Sequence, residues 1–174
     1  GSITGTGALI KNGSGTLTIN ATNNTFTGGT FITGGTIKLG GTNDTFGYPH
    51  GGGALNNNLG VVTISGGGTL DVNGTQVPNF QSFGPEGYNV YISGAGVGGN
   101  GALVNSDTNN NDNADPGYVT LTGNATVGGA GDINIRHGVS PQLSSQSSAY
   151  TLTKVGAGQF RIRYVTSVST NFGP

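Results

Sequence analysis

Three short stretches of this chain are copies of one another: Gly15-Thr16-Leu17-Thr18-Ile19-Asn20, Gly35-Thr36-Ile37-Lys38-Leu39-Gly40 and Gly68-Thr69-Leu70-Asp71-Val72-Asn73. Each is a turn glycine, a threonine and then strict apolar/polar alternation, the pattern of a short half-buried strand. A recurring strand-and-turn unit predicts a repeat architecture. Looser copies follow at Gly101-Ala102-Leu103-Val104-Asn105 and Gly158-Gln159-Phe160-Arg161-Ile162-Arg163. The leading glycines at 15, 35, 68, 101 and 158 stand 20, 33, 33 and 57 residues apart, a drift that suits coils carrying insertions and excludes a strict array.

Composition narrows the architecture. The 174 residues include 36 Gly, no Cys, Met or Trp, and only 7% charged side chains, with a net charge of −1. Disorder goes with high net charge and few β-branched residues, whereas here Val, Ile and Thr recur on period 2. Helix is not expected, because Gly, Asn or Pro interrupts most windows of about a dozen residues and no 3.6-residue apolar stripe survives along the chain. An ordinary globular domain of this length would hold more large apolar residues. A β-solenoid needs fewer, since each coil fills a few inward slots and stacks the rest of its burial on its neighbours. Coils of roughly 20 to 25 residues would number about seven or eight, giving a single all-β domain over residues 1–174, about 35 to 40 Å tall at ~4.8 Å per stacked strand.

Alternation assigns Leu17, Ile19, Ile37, Leu39, Val61, Ile64, Leu70, Val72, Leu121, Ile133 and Ile135 to the interior. Val61 and Ile64 differ in parity, so one of them must lie outside or at a bulge. Asp71, between Leu70 and Val72, is expected on a solvated outer face. Irregular excursions at 42–58, 75–87, 107–117 and 139–149 read as loops hung on the rod, where binding chemistry tends to sit.

Ile3 through Ile19 (Ile-Thr-Gly-Thr-Gly-Ala-Leu-Ile-Lys-Asn-Gly-Ser-Gly-Thr-Leu-Thr-Ile) resembles the autotransporter-associated β-strand repeat, also called the passenger-associated transport repeat. The resemblance continues through Asn23-Asn24-Thr25-Phe26-Thr27-Gly28-Gly29-Thr30-Phe31-Ile32-Thr33-Gly34-Gly35-Thr36-Ile37, with Phe26 in the family's Tyr slot, so residues 1–40 match best. A second copy enters at Leu152-Thr153-Lys154-Val155-Gly156-Ala157-Gly158-Gln159-Phe160, within the C-terminal strand region 150–174, where Gln159 and Phe160 replace Thr and Leu. The resemblance implies a right-handed parallel β-helix with loop insertions, exported by a Gram-negative-type bacterium and displayed outside the cell. It implies a scaffold without catalytic residues to carry over. Family passengers are adhesins, aggregation factors or carriers of other domains.

Several absences bound the chemistry. A chain without Met has no initiator, so it is expected to begin after processing or to be an excerpt; no signal peptide and no apolar run of about 20 residues is visible. Zero cysteine excludes disulfides and cysteine metal sites, and so few charges leave no electrostatic footprint for nucleic acid or anionic membrane. Polysaccharide-active β-helices need clustered carboxylates with Arg, Lys or a metal. This chain has one Glu, Glu86, and six scattered Asp, so an enzyme is not expected. His50 and His137 stand apart and carry no metal-site pattern. Gly94-Ala95-Gly96-Val97-Gly98-Gly99 satisfies G-x-G-x-x-G, but a strand follows it instead of a helix, so it reads as coil corners.

One loop keeps chemical interest. Asp107, Asn109, Asn111, Asp112 and Asp115 offer oxygen ligands at near-alternating positions, as calcium loops do, although Asp112 stands where an EF-hand has Gly and Tyr118 where it has the bidentate Glu. Calcium and a hydrated Asn-rich turn are both open readings; no other cofactor is expected. At the C-terminus, Gln159, Phe160, Arg161, Ile162, Arg163, Tyr164 and Val165 form a long strand-like run. Open solenoid ends show unpaired strand edges, so this run is expected to contact a neighbouring subunit and build a head-to-tail homopolymer. Two functions follow as expectations: an extracellular structural protein that stacks into a surface fibre, or the passenger segment of an adhesin that binds glycans or neighbouring cells.

Overall fold

A computed structural model describes residues 1–21, 24, 26–40, 61–75, 89–109, 114, 116, 118–135, 143–146 and 148–163. Every strand pairing among them is parallel. The first face of the solenoid stacks β1 (Leu9–Lys11), β3 (Thr30–Ile32), β5 (Val61–Ile64), β7 (Asn89–Gly94), the first half of β9 (Tyr118–Gly129) and β11 (Leu143–Ser144). The second face stacks β2 (Thr16–Ile19), β4 (Thr36–Leu39), β6 (Thr69–Asp71), β8 (Leu103–Asn105), the second half of β9 and β12 (Leu152–Lys154). A third face holds β10 (Ile133–Ile135) and β13 (Phe160–Ile162). The chain is therefore a parallel β-helix. Because β9 runs unbroken round a corner, it joins the first two faces into one continuous sheet.

Register fixes the coil lengths. Leu9, Thr30, Val62, Val90, Val119 and Leu143 are successive Cα partners on the first face, and Leu17, Ile37, Leu70, Leu103, Val127 and Lys154 on the second. The described residues thus form six coils with register steps of 20 to 33 residues, several of them longer than the sequence suggested. At ~4.8 Å per coil the stack is roughly 25 to 30 Å tall.

The core consists of these inward ladders. Ile32, Ile64, Ile92 and Leu121 form one and Ile37, Leu70, Leu103 and Val127 another, all fully buried. Burying each such Leu or Ile is worth about 1.5–3 kcal/mol, and aligned strands let identical branched side chains nest from coil to coil. The parity conflict in β5 resolves in favour of Val62 and Ile64, both fully buried, which turns Val61 outward and half-buried. Leu17 keeps inward parity but is 37% exposed, because β2 pairs with β4 alone among the described strands. Ile19, Leu39, Val72, Ile133 and Ile135 are buried as the alternation predicts.

Gly158 and its strand depart from the expected arrangement. Phe160 pairs with Ile133 on the third face, so this fifth copy lies one face further round than the copies at Gly15, Gly35, Gly68 and Gly101. Its 57-residue spacing spans more than one coil. Tyr118–Gly129 forms one strand, β9, that serves two faces. Gly94–Gly99 does form a corner, closed by a 3₁₀ turn at Val97–Gly99 between β7 and β8.

Candidate functional site

A solenoid can present chemistry on its outward faces, at its corners and at its two terminal edges. The corner after the second face is the most elaborately bonded. Asn73 Nδ2 donates to Leu39 O at 2.8 Å, linking the third coil to the second. Asn105 Oδ1 accepts from Gly74 N at 2.8 Å and from Asp107 N at 3.0 Å, while its Nδ2 donates to Asp132 O at 2.7 Å. Asp132 continues the series: its Oδ1 accepts from Gln159 N at 2.7 Å and its Oδ2 meets the Arg161 guanidinium at 2.7 Å. One Asn or Asp per coil therefore stitches coils two through six along a single corner. Buried amides cost free energy unless bonded, so each amide satisfies backbone groups where the strand ladder stops at the turn. Sequence reading missed these residues; their common signal is an Asn or Asp flanking an alternating strand.

Asp71 belongs to the same corner and overturns the expectation that it is solvated. It is 5% exposed, its Oδ1 accepts from Asn73 N at 3.0 Å and Ser106 N at 2.9 Å, and Lys38 Nζ lies 3.6 Å from Oδ2. Lys38 also donates to Ser106 Oγ at 2.9 Å, which in turn donates to Asn73 Oδ1 at 3.1 Å. Alternation placed Asp71 on the outer side correctly; the following coil folds over it. On the first face, burial pushes the Tyr118 hydroxyl above its ordinary range, because desolvation disfavours the phenolate.

The two lysines of the repeat motif have a shared role. Lys11 Nζ donates to the carbonyls of Gly13 and Gly34, and Lys154 Nζ to Val155 O at 2.6 Å and Gly156 O at 3.0 Å. In each case one acceptor is the first glycine carbonyl of the Gly-x-Gly corner that follows, Gly13 or Gly156. Both lysines sit on strands that pair on one side only among the described strands, β1 with β3 and β12 with β9.

Outward on the first face, Ile10, Phe31, Thr63, Tyr91, Thr120 and Ser144 stack in register, forming a column without a charged side chain. Ile10 is 63% and Phe31 38% exposed.

Of the calcium-loop residues, the structure describes Asp107 and Asn109. Asp107 Oδ1 accepts from Asn109 N at 3.1 Å and Asn109 Nδ2 at 2.6 Å, an Asx turn. Asn111, Asp112 and Asp115 lie outside the described residues. Among the described residues no three His, Cys, Asp or Glu side chains converge as metal ligands would. Of the self-association run, Phe160–Ile162 is β13, paired with β10 on one side, Gln159 and Arg163 flank it, and Ile162 is 41% exposed. Arg161 Nε also donates to Gln159 Oε1 at 2.8 Å. Tyr164 and Val165 lie outside the described residues, as do Glu86, His50 and His137.

Comparison with curated proteins and with solved structures finds no match. Residues 9–39 match a family model, the passenger-associated-transport-repeat. The matched segment runs from the first residue of β1 to the last of β4, so it covers two complete strand–corner–strand units, including the Lys11 cap and the first pair of stacked coils. The segment that matches the passenger-associated-transport-repeat model thus folds as the first two described coils of a parallel β-helix.

Proposed function

We propose that the chain is a structural β-solenoid segment of a secreted or surface-displayed protein of a Gram-negative-type bacterium, without enzymatic activity of its own, and that it stacks end to end into a fibre. The observation that carries this reading is the match between its two terminal corners. Leu9-x-Lys11-x-Gly13-x-Gly15-x-Leu17-x-Ile19 and Leu152-x-Lys154-x-Gly156-x-Gly158-x-Phe160-x-Ile162 have identical spacing. Inside the molecule such a corner already stacks on its neighbour at one constant offset, with Ala125 opposite Leu152 and Ile133 opposite Phe160. A second copy continuing this geometry would lay Leu9 on Leu152, Leu17 on Phe160 and Ile19 on Ile162, covering Leu17 and Ile162, which are 37% and 41% exposed. A heterologous contact of this kind propagates without closing.

The same register brings Lys11 of one copy beside Lys154 of the next. Their repulsion is screened by salt, so association should strengthen as ionic strength rises. Sedimentation of the isolated chain is the test: the expected result is concentration-dependent growth, lost in Leu17→Asp and Phe160→Asp while the melting curve stays close to that of the parent. A concentration-independent monomer at all salt concentrations would sink the fibre reading.

A second reading, adhesion to uncharged glycans, is favoured by the neutral outward column from Ile10 to Ser144, whose aromatic rings and hydroxyls suit sugar faces and hydroxyl groups. Calcium is the proposed ion of the 107–115 loop, where it would offset repulsion among Asp107, Asp112 and Asp115. Chelation is then expected to lower the melting temperature and open the loop to protease, and an unchanged melting curve and digest would remove calcium from the account.

A further inference from the structure

Three Asn-Gly pairs occur in the sequence, at 12–13, 73–74 and 100–101, and the fold treats them differently. In this dipeptide the backbone nitrogen of the glycine can attack the side-chain carbonyl carbon of the asparagine, because no Cβ on the following residue obstructs the approach. The attack needs a free glycine N–H that can lose its proton, and an amide side chain free to swing onto it. Hydrogen bonds to either group oppose it.

Two of the pairs are held. Gly74 N donates to Asn105 Oδ1 at 2.8 Å and Asn73 Nδ2 to Leu39 O at 2.8 Å, so both reacting groups of that pair are bonded across coils. Gly101 is buried, and its N–H donates to Ala95 O at 2.8 Å. Asn12 and Gly13 are unlike both. Each is exposed, neither the Asn12 amide nor the Gly13 N–H has a hydrogen-bond partner among the described residues, and the space beside Gly13 Cα is open to 4 Å. The Lys11 ammonium also lies in this turn, on the Gly13 carbonyl, and a cation there favours the amide anion that must form.

We propose that Asn12 is a site of spontaneous covalent modification, in which the corner between β1 and β2 converts from amide to acid through a cyclic imide. The Gly13 nitrogen loses its proton and bonds to Asn12 Cγ, the Cγ–Nδ2 bond breaks, and ammonia leaves with the proton. Water then opens the five-membered imide at either carbonyl, giving aspartate or its β-linked isomer; no redox partner is needed. The product places a carboxylate beside Lys11. The β-linked isomer also adds a backbone carbon to the turn between β1 and β2, whose coil pairs with one other coil among the described strands. Nothing in this chemistry depends on end-to-end stacking.

The experiment incubates the folded chain at mildly alkaline pH in isotope-labelled water and follows the three peptides by mass spectrometry, with a parallel sample in denaturant. In the folded chain Asn12 is expected to convert about tenfold or more faster than Asn73 or Asn100, a ratio equal to ~1.4 kcal/mol of local protection. In denaturant the three rates should converge. Gly13→Ala, whose Cβ meets no atom within 4 Å and leaves the fold intact, should slow the conversion of Asn12. Equal rates at the three sites in the folded chain, an Asn12 that stays an amide, or a Gly13→Ala rate unchanged from the parent would each overturn the proposal.

Discussion

Leu70→Asp is expected to leave the chain without a cooperative melting transition. Leu70 is fully buried in the middle of the second-face ladder, between Ile37 in the coil before and Leu103 in the coil after. A carboxylate placed there has no cation in reach, and burying an unpaired charge while losing the leucine packing costs about 4–5 kcal/mol or more. That is most of the stability of a typical domain, about 5–15 kcal/mol. Leu17→Asp supplies the contrast, because Leu17 is the first described rung of the same ladder and keeps more than a third of its surface in water. Its cost should be small. Circular dichroism during heating decides the matter: if the two variants melt alike, burial along the ladder does not grade stability and the inward assignment is wrong.

Gly131→Ala is the second severe change, and it acts through the backbone. A Cβ at Gly131 would lie 1.8 Å from Asp107 O and 2.6 Å from Asn105 Nδ2, groups of the coil beneath. The carbonyl cannot rotate away without breaking the corner, and Asn105 Nδ2 is already committed to Asp132 O. Overpacking of this kind costs about 1–3 kcal/mol where side chains can give, and more where backbone must move. Gly15 fills the same slot in the repeat motif, yet a Cβ there meets nothing within 4 Å. Gly15→Ala should therefore melt with the parent chain. A comparable drop in both variants would mean that the motif glycine serves local turn conformation, and that the close approach between coils is not its reason.

Glycine spacing made much of this fold readable in advance. The steps of 20, 33 and 33 residues between Gly15, Gly35, Gly68 and Gly101 equal the steps between the register partners Leu17, Ile37, Leu70 and Leu103, since each glycine sits two residues before its ladder position. The pattern then fails because β9 turns the next corner through Thr122-Gly123-Asn124 without leaving extended conformation. No glycine pair marks that bend, and the count loses a face there, which is why the copy at Gly158 lands beside β10. Alternation was equally informative about inward ladders and equally silent about outward burial. It put Asp71 on the correct side of its strand, but whether a later coil folds over that side depends on the loop starting at Ser106, 35 residues on, which local periodicity does not encode. The corner amides escaped notice for a related reason: Asn73, Asn105 and Asp132 read as turn residues one at a time, and only stacking shows that each bonds the coil before or after it.

Each described strand pairing joins residues 20 to 33 apart in sequence, so every coil needs only the one before it as a template. Repeat proteins of this kind nucleate locally and grow from the nucleus, and no pairing waits for the distant end of the chain to arrive. A polypeptide delivered through a narrow opening end first could thus lay down its coils in the order of their emergence. The free energy released by each new coil would then oppose backward slippage of the segment still in transit, and folding itself would act as a ratchet.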